Sequence, residues 1–225
     1  MNPPSTLILF NGPRHSGKDE AANYCAEMFG ASRFKMSGPI KAAIKAMFSL
    51  SDEDVELLET IKTQPSPLLF GRSYVEVQIS FSEEWAKQFW SKDIFGRLAA
   101  RAVNQWQRYA GSGSLYVCSD SGFTEEAKEL VYQVVGPDNV LLVQLERPGK
   151  SFTGDSRSYI ELHGVKTIRI ENTGALGEYH AKIAKEVVNW LARKTVNVDT
   201  QCKDGFCPMP SVRQGPSESM FPPVN

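Results

Sequence analysis

The sequence predicts an α/β protein in which a parallel sheet carries helices on both faces, and three observations lead there. First, residues 7–24 read LILFNGPRHSGKDEAANY: an apolar run, a glycine-bounded loop and a helix-compatible stretch. Second, much of the remaining chain alternates short apolar segments with amphipathic ones, the pattern of strands joined by crossover helices. Third, 225 residues with 41% hydrophobic and 23% charged content suffice for one sizeable core, or for one core plus an inserted subdomain.

Taken in order, a first strand is expected over 6–10 and a helix over about 18–29, where Ala21, Ala22, Cys25, Ala26 and Phe29 recur at helical spacing. Residues 32–36 read as a second strand. Gly38-Pro39 opens a helix over 40–48, since proline is tolerated in a first turn. Residues 51–84 mix an acidic helix-like stretch, SDEDVELLETIK, with the loop TQPSPLLFGRS and a strand-like YVEVQISF. A helix rich in aromatic and basic residues follows over about 83–106, with a break expected near Ser91 or Gly96. Residues 111–114, Gly-Ser-Gly-Ser, form a flexible connection into LYVCSD, an apolar strand ending in a carboxylate. A helix (124–135), a strand (139–145), a basic loop (147–157), a strand (166–170) and a long helix (176–194) complete the pattern. Residues 195–225, punctuated by proline and glycine without apolar periodicity, read as a flexible tail.

The loop after the first strand has the form of a phosphate-binding loop. Gly12, four residues, then Gly17 and Lys18 supply its spacing, in the strand-to-helix setting the motif needs. Backbone N–H groups there converge on phosphate oxygens at a helix N-terminus, and Lys18 reaches the outer phosphates. Asp19 stands where Ser or Thr usually meets magnesium, and a carboxylate suits that hard cation directly or through water. Asp120 ends the LYVCSD strand, where it can serve a metal or an acceptor hydroxyl, or can simply cap the next helix. Arg147, Lys150 and Arg157 lie in a basic loop that reads either as a lid over a transferring phosphoryl group or as a solvated surface loop. Lys92, Arg97, Arg101 and Arg108, interleaved with Trp85, Phe89, Trp90, Phe95, Trp106 and Tyr109, could clamp a monophosphate and stack a base. The same stretch reads more readily as an aromatic core face with a basic wet face. His163 and His180 have no acid or thiol at triad-like or metal-like spacing.

A formal net charge of -1 provides no general attraction to nucleic acid or anionic lipid, which favours a mononucleotide over a polymer as ligand. No run approaches the roughly 18 apolar residues of a membrane span, and the N-terminus lacks the pattern of a signal peptide, so a cytoplasmic location is expected. The four cysteines suggest no disulfide framework, and Cys202 and Cys207 are too few for a zinc site.

Several of these segments together resemble the deoxynucleoside monophosphate kinases of tailed bacteriophages, a branch of the P-loop kinases. GPRHSGKDEAA is similar to that family's phosphate loop, including the Asp after the Lys. MSGPIKAAIKAMF resembles its Gly-Pro-Ile-Lys helix opening, LERPGK its Arg-Pro-Gly start of the lid, and IENTG the turn before its last helix, in matching order over about residues 7–191. The resemblance implies a three-layer P-loop kinase fold with a parallel sheet flanked by helices. It divides the chain into a core (5–40 and 111–194) with a lid at about 147–160, a helical acceptor-binding insertion (41–110) and the tail.

The activity it implies is transfer of the γ-phosphoryl group of ATP, with magnesium (Mg2+), to a deoxynucleoside 5′-monophosphate. Its partner would be a small-molecule nucleotide, with neither nucleic acid nor membrane, in a host cytoplasm if phage-encoded; a homodimer stays open. On that basis Gly12, Ser16, Gly17, Lys18 and Arg14 hold the donor phosphates, and Asp19 and Asp120 organise the metal. Arg147, Lys150 and Arg157 are lid cations, and Asn172 lies near the adenine. Lys41 faces the acceptor phosphate, the clamp on it stays open between Lys92, Arg97 and Arg101, and Trp106 is a further acceptor contact. The family usually carries an arginine shortly after the carboxylate strand, where SDSGF here has Gly122. A P-loop kinase for another small phosphorylated metabolite, and a nucleotide-binding module without turnover, are the competing readings.

Overall fold

Thr6–Asn11 (β1) is the central strand of a five-stranded parallel sheet, because its apolar residues are covered on both faces. The structure, a computed structural model, describes residues 4–110 and 113–199. The other strands are Ser32–Phe34 (β2), Leu115–Cys118 (β5), Val140–Glu146 (β6) and Lys166–Glu171 (β7), in the order β2-β5-β1-β6-β7. Leu7 pairs with Tyr116 on one side and Val140 on the other, and Glu146 pairs with Glu171 at the far edge. A loop that leaves the C-terminal end of β1 therefore emerges where neighbouring strands also deliver their turns.

Helices cover both faces. Lys18–Phe29 (α1) and Leu176–Asp199 (α8) bury Ala21, Ala22, Cys25, Tyr179, Ile183 and Val187 against Ile8, Phe10, Val117 and Val143. Ile94–Ala110 (α6) and Thr124–Leu130 (α7), with Ile160 and Leu162, cover the other face through Leu7, Leu9, Tyr116 and Leu142. The final helix runs five residues further than the expected end at 194, and the sequence from 200 onward, with Cys202 and Cys207, lies outside the described residues. So do positions 111 and 112 of the expected flexible connection.

Between β2 and α6 the chain builds a small helical layer with its own apolar centre. Gly38–Met47 (α2), Asp52–Thr60 (α3), a short hairpin of Pro65–Ser66 (β3) and Arg72–Ser73 (β4), and Tyr74–Ile79 (α4) enclose Ile40, Ile44, Leu58, Leu69 and Tyr74. The strand expected from YVEVQISF is helical instead. Ser73 accepts from the Glu76 amide at 3.3 Å while Glu76 accepts from the Ser73 amide at 2.8 Å, a capping box that starts a helix despite the alternating valines. A wide turn over Ser80–Ala86 and the single turn Lys87–Phe89 (α5) follow.

The long aromatic helix does break near Ser91, since α5 ends at Phe89 and α6 begins at Ile94. Gly96 is no break. It sits inside α6 against α7, where a Cβ would lie 2.2 Å from the Glu126 carbonyl oxygen. Ala99, Ala100 and Val103 join the main core, so α6 packs as part of the sheet's helical cover although its sequence falls within the expected insertion. A buried ion pair fastens the two regions: Lys87 Nζ lies 3.0 Å from Glu126, 2.8 Å from Glu83 and 3.5 Å from the centre of the Phe123 ring. Burial raises the Glu126 carboxyl to about 7, with Lys87 acting against the rise.

Candidate active site

The loop joining β1 to α1 is held open by side chains from distant elements. Gly17 caps α1 in the left-handed region (φ 100°) without a side chain of its own, so the first-turn amides of a twelve-residue helix are left for an anion. Three outward-facing carbonyls of the loop are engaged. Arg147 donates to the His15 carbonyl at 3.0 Å, Asn172 to that of Ser16 at 2.9 Å, and Tyr179 to that of Gly17 at 3.1 Å. Gly12 lies against the Leu145 carbonyl, and the Ser16 hydroxyl is buried without a hydrogen-bond partner.

Lys18 folds over this loop, donating to the carbonyls of Gly12 at 2.8 Å and Pro13 at 2.6 Å. Burial, and then the charge of Arg157, lower its ammonium to about 8. An anion placed between these cations would favour the charged lysine and raise it again. Asp19 accepts from the Ser119 hydroxyl at 2.8 Å and pairs with Lys35 at 2.6 Å. Burial pushes its carboxyl up, but Lys35 and Ser119 outweigh that and hold it below its ordinary value.

Asp120, expected beside a metal, has backbone partners on both carboxylate oxygens. Its two carboxylate oxygens accept from the backbone amides of Met36 and Ser37 at 2.8 and 3.0 Å, and the Cys118 thiol donates to it at 3.3 Å. It fastens the start of α2 to the end of β5, with one backbone amide on each carboxylate oxygen. Asn172, expected near an adenine, has its side-chain amide on the phosphate loop instead.

The lid is rooted in the core. Buried Asn11 donates to the carbonyls of Ser121 at 2.7 Å and Ser158 at 3.1 Å and accepts from the Ile160 amide at 3.1 Å. Arg157 forms a two-point fork on Asp155, at 2.8 and 2.5 Å, and Arg14 reaches the same carboxylate at 3.5 Å. Arg157 holds the Asp155 carboxyl below its ordinary value. Arg14, Lys18 and Arg157 thus form one basic cluster around the loop, whereas Lys150 is exposed in the turn that starts at Arg147.

The expected acceptor contacts do not converge in the same way. Lys41 pairs with Glu59. Arg97 is held by Asp93 at 2.8 Å and Glu129 at 3.8 Å, and Lys92 lines a surface recess with Glu125 and Glu129, acidic surroundings that disfavour a phosphate clamp. Trp106 packs beside Phe34 and Tyr116 at the core rather than offering a face to a base. Arg101 is exposed on α6. Sequence reasoning missed Asn11, Lys35, Ser119, Asp155 and Tyr179. Lys35 and Ser119 had a legible signal, because each directly follows a short strand or its last turn beside a residue already singled out; Asn11 and Tyr179 had none.

No protein-family model matches the chain. A protein of Acanthamoeba polyphaga mimivirus described as "Putative deoxynucleotide monophosphate kinase" is 25% identical over 191 residues, covering 81% of this chain and 96% of that protein. Among solved structures the chain is similar to a sugar kinase from Janibacter sp. HTCC2649 (16% identity, 84% of this chain, 95% of that chain, TM-score 0.43). It is also similar to a gluconokinase from Sinorhizobium meliloti 1021 (15%, 89%, 99%, TM-score 0.40) and to shikimate kinase from Aquifex aeolicus (10%, 82%, 97%, TM-score 0.38).

Proposed function

We propose that this protein transfers the γ-phosphoryl group of ATP to a deoxynucleoside 5′-monophosphate. The observation that carries the reading is the cluster of Lys18, Arg14 and Arg157 around an anchored loop at the uncapped N-terminus of α1. The viral relative's description supports the acceptor class.

An oxygen of the acceptor phosphate attacks the γ-phosphorus, the bond from that phosphorus to the β,γ-bridging oxygen breaks, and ADP leaves with the electron pair. The attacking oxygen is already an anion at neutral pH, so no side chain need remove a proton. Catalysis rests on placement and charge. The amides of the first turn of α1 and the Lys18 ammonium hold the donor phosphates, and Arg14 and Arg157 face the charge that develops on the transferred group. Tyr179, Asn172 and Arg147 keep the loop carbonyls turned away from it.

Asp19 fits a magnesium ion: it already pairs with the Lys35 ammonium, and the Ser119 hydroxyl beside it adds a second hard oxygen. A magnesium ion takes few protein ligands and keeps water and phosphate oxygens, so these two oxygens would be enough to seat it. When bound, the ion neutralises phosphate charge and orients the donor.

The test is ADP release from ATP and magnesium against dAMP, dGMP, dCMP, dTMP, modified deoxycytidylates and their ribose counterparts. We expect turnover with one or a few deoxynucleotides, abolished in Lys18→Ala. Equal turnover by that variant, or silence across the whole panel, overturns the reading.

A further inference from the structure

Gly122 occupies a place where a side chain cannot fit, and what fills that place is Arg157. A Cβ built on Gly122 would lie 2.4 Å from Arg157 Cδ and 2.8 Å from Cγ. These atoms belong to the stem rather than the free end of the side chain, so the whole arginine would have to move. Gly122 has no positive φ that would itself demand glycine. The missing side chain thus serves a close approach, not a turn.

The two residues are brought together by shared anchors. Asn11 binds the carbonyl of Ser121, directly before Gly122, and that of Ser158, directly after Arg157. The arginine stem is therefore pinned at its root across the end of β5. Asp155, only 9% exposed, fixes the plane of the guanidinium by its two-point contact and draws Arg14 toward the same place. Burial first, and then the charge of Arg157, lower the Lys18 ammonium, so the two cations lie within electrostatic reach of each other. One lid residue and one loop residue so share an electrostatic centre.

We propose that Gly122 is a positioning residue: it is the bare seat across which Arg157 lies, so that the lid guanidinium meets the terminal phosphate of the donor alongside Lys18. The sequence reads Gly122 as the loss of a cation from this site; in the folded chain the glycine makes room for a cation supplied from the lid. This rests on the assignment of the phosphate loop as the donor site.

The experiment is a double-mutant cycle on the full chain with Gly122→Ala, Arg157→Ala and the pair. Affinities for ATP and for ADP are measured by calorimetry, together with thermal stability. Loss of a charge-assisted contact to the terminal phosphate should shrink the margin of ATP over ADP by about tenfold in each single variant. The pair should lose no more than either one, since Gly122 acts through Arg157. Gly122→Ala should also unfold at a lower temperature, whereas the pair should be no less stable than Arg157→Ala because the obstructing stem is gone. A merely structural role would reproduce the stability pattern but leave the ATP-to-ADP margin unchanged, and that result overturns the proposal. So do losses that multiply independently in the pair. If Gly122→Ala proves too unstable at ordinary temperature, the margin is measured for it and for the wild type at a lower temperature with a stabilising osmolyte, where the variant stays folded, and an unchanged margin there overturns the proposal. These measurements need no acceptor, so a wild-type protein that binds both nucleotides without turning over any monophosphate removes the acceptor assignment alone. Binding of neither nucleotide removes the donor site and this inference with it.

Discussion

Asn172 donates its side-chain amide to the carbonyl of Ser16 at 2.9 Å, a contact between residues 156 apart in sequence. The same amide nitrogen lies 2.5 Å from where a Cβ on Gly17 would stand. The phosphate loop is therefore shaped from outside, by the turn after β7, as much as by its own glycines.

Gly17→Ala meets two obstacles together. Its φ of 100° is strained for any residue with a Cβ, by about 1–3 kcal/mol, and the added methyl displaces Asn172. We expect a loss of about 2–4 kcal/mol in urea unfolding and loss of ATP binding by calorimetry. Retained affinity would mean that the loop does not need this conformation. Asn172→Ala should be milder, weakening ATP binding with a stability loss of about 1 kcal/mol.

Nucleotide affinity should depend on pH through Lys18. Its ammonium titrates near about 8 in the ligand-free protein, and a phosphate favours the charged form. Affinity for ATP should be flat below that pH and fall by up to about tenfold per unit above it, until the bound-state value is reached. Folding stability runs the other way. The unfolded lysine binds its proton up to the ordinary 10.5, so between 8 and 10.5 the unfolded chain holds more protons and this residue's contribution rises with pH. Calorimetry in buffers of different ionisation heat would detect proton uptake on binding; none above neutral pH would contradict the Lys18 assignment.

Asp120 predicts a stability defect in which metal plays no part. Asp120→Ala leaves the amides of Met36 and Ser37 without their acceptor, a loss of about 2–3 kcal/mol, and should speed hydrogen exchange at both. Asp120→Asn turns a donor toward one amide and should rescue little. The magnesium concentration that gives half-maximal turnover should stay unchanged in Asp120→Asn; a marked rise would return this residue to the metal site.

The Lys87–Glu126 pair couples stability to pH. Glu126 has a folded value of about 7 against an ordinary 4.5, so the folded chain holds more protons between them. Its stabilising contribution is complete below 4.5 and is lost as pH rises through 7. Lys87→Ala strands a buried carboxylate and should lose about 3–5 kcal/mol at about pH 8, but less at about pH 5, where Glu126 takes up a proton. Equal losses at both pH values, by urea unfolding, would contradict the coupling.

The first strand, the phosphate loop and α1 were legible because their signals are local: an apolar run, glycine spacing and helical periodicity within about two dozen residues. The strands after α6 were legible for the same reason, within one or two residues at their ends. YVEVQISF was not, since its alternation suits a strand but no neighbouring strand is available to pair with it, and the Ser73–Glu76 capping box favours a helix. Gly96 suggested a break because a glycine in a helical pattern looks the same whether it ends the helix or admits another backbone. Side chains of the site divide along the same line. Lys18 is placed by the motif that contains it, whereas the partners of Asp19, Asp120 and Lys41 come from elsewhere in the chain.

By itself, the sequence determined an α/β sheet with a phosphate-binding loop at the end of its first strand, because backbone geometry, periodicity and glycine placement act over short stretches. Only the tertiary structure decided which charges serve that loop. It committed Asp120 to two amides, Arg97 to two carboxylates and Trp106 to the core, and it laid Arg157 across Gly122. The physical reason is that a charge takes its role from the partners within about 4 Å, and the distant ones among them, such as the Met36 and Ser37 amides on Asp120 and the Gly122 seat of Arg157, are brought close only when the sheet forms.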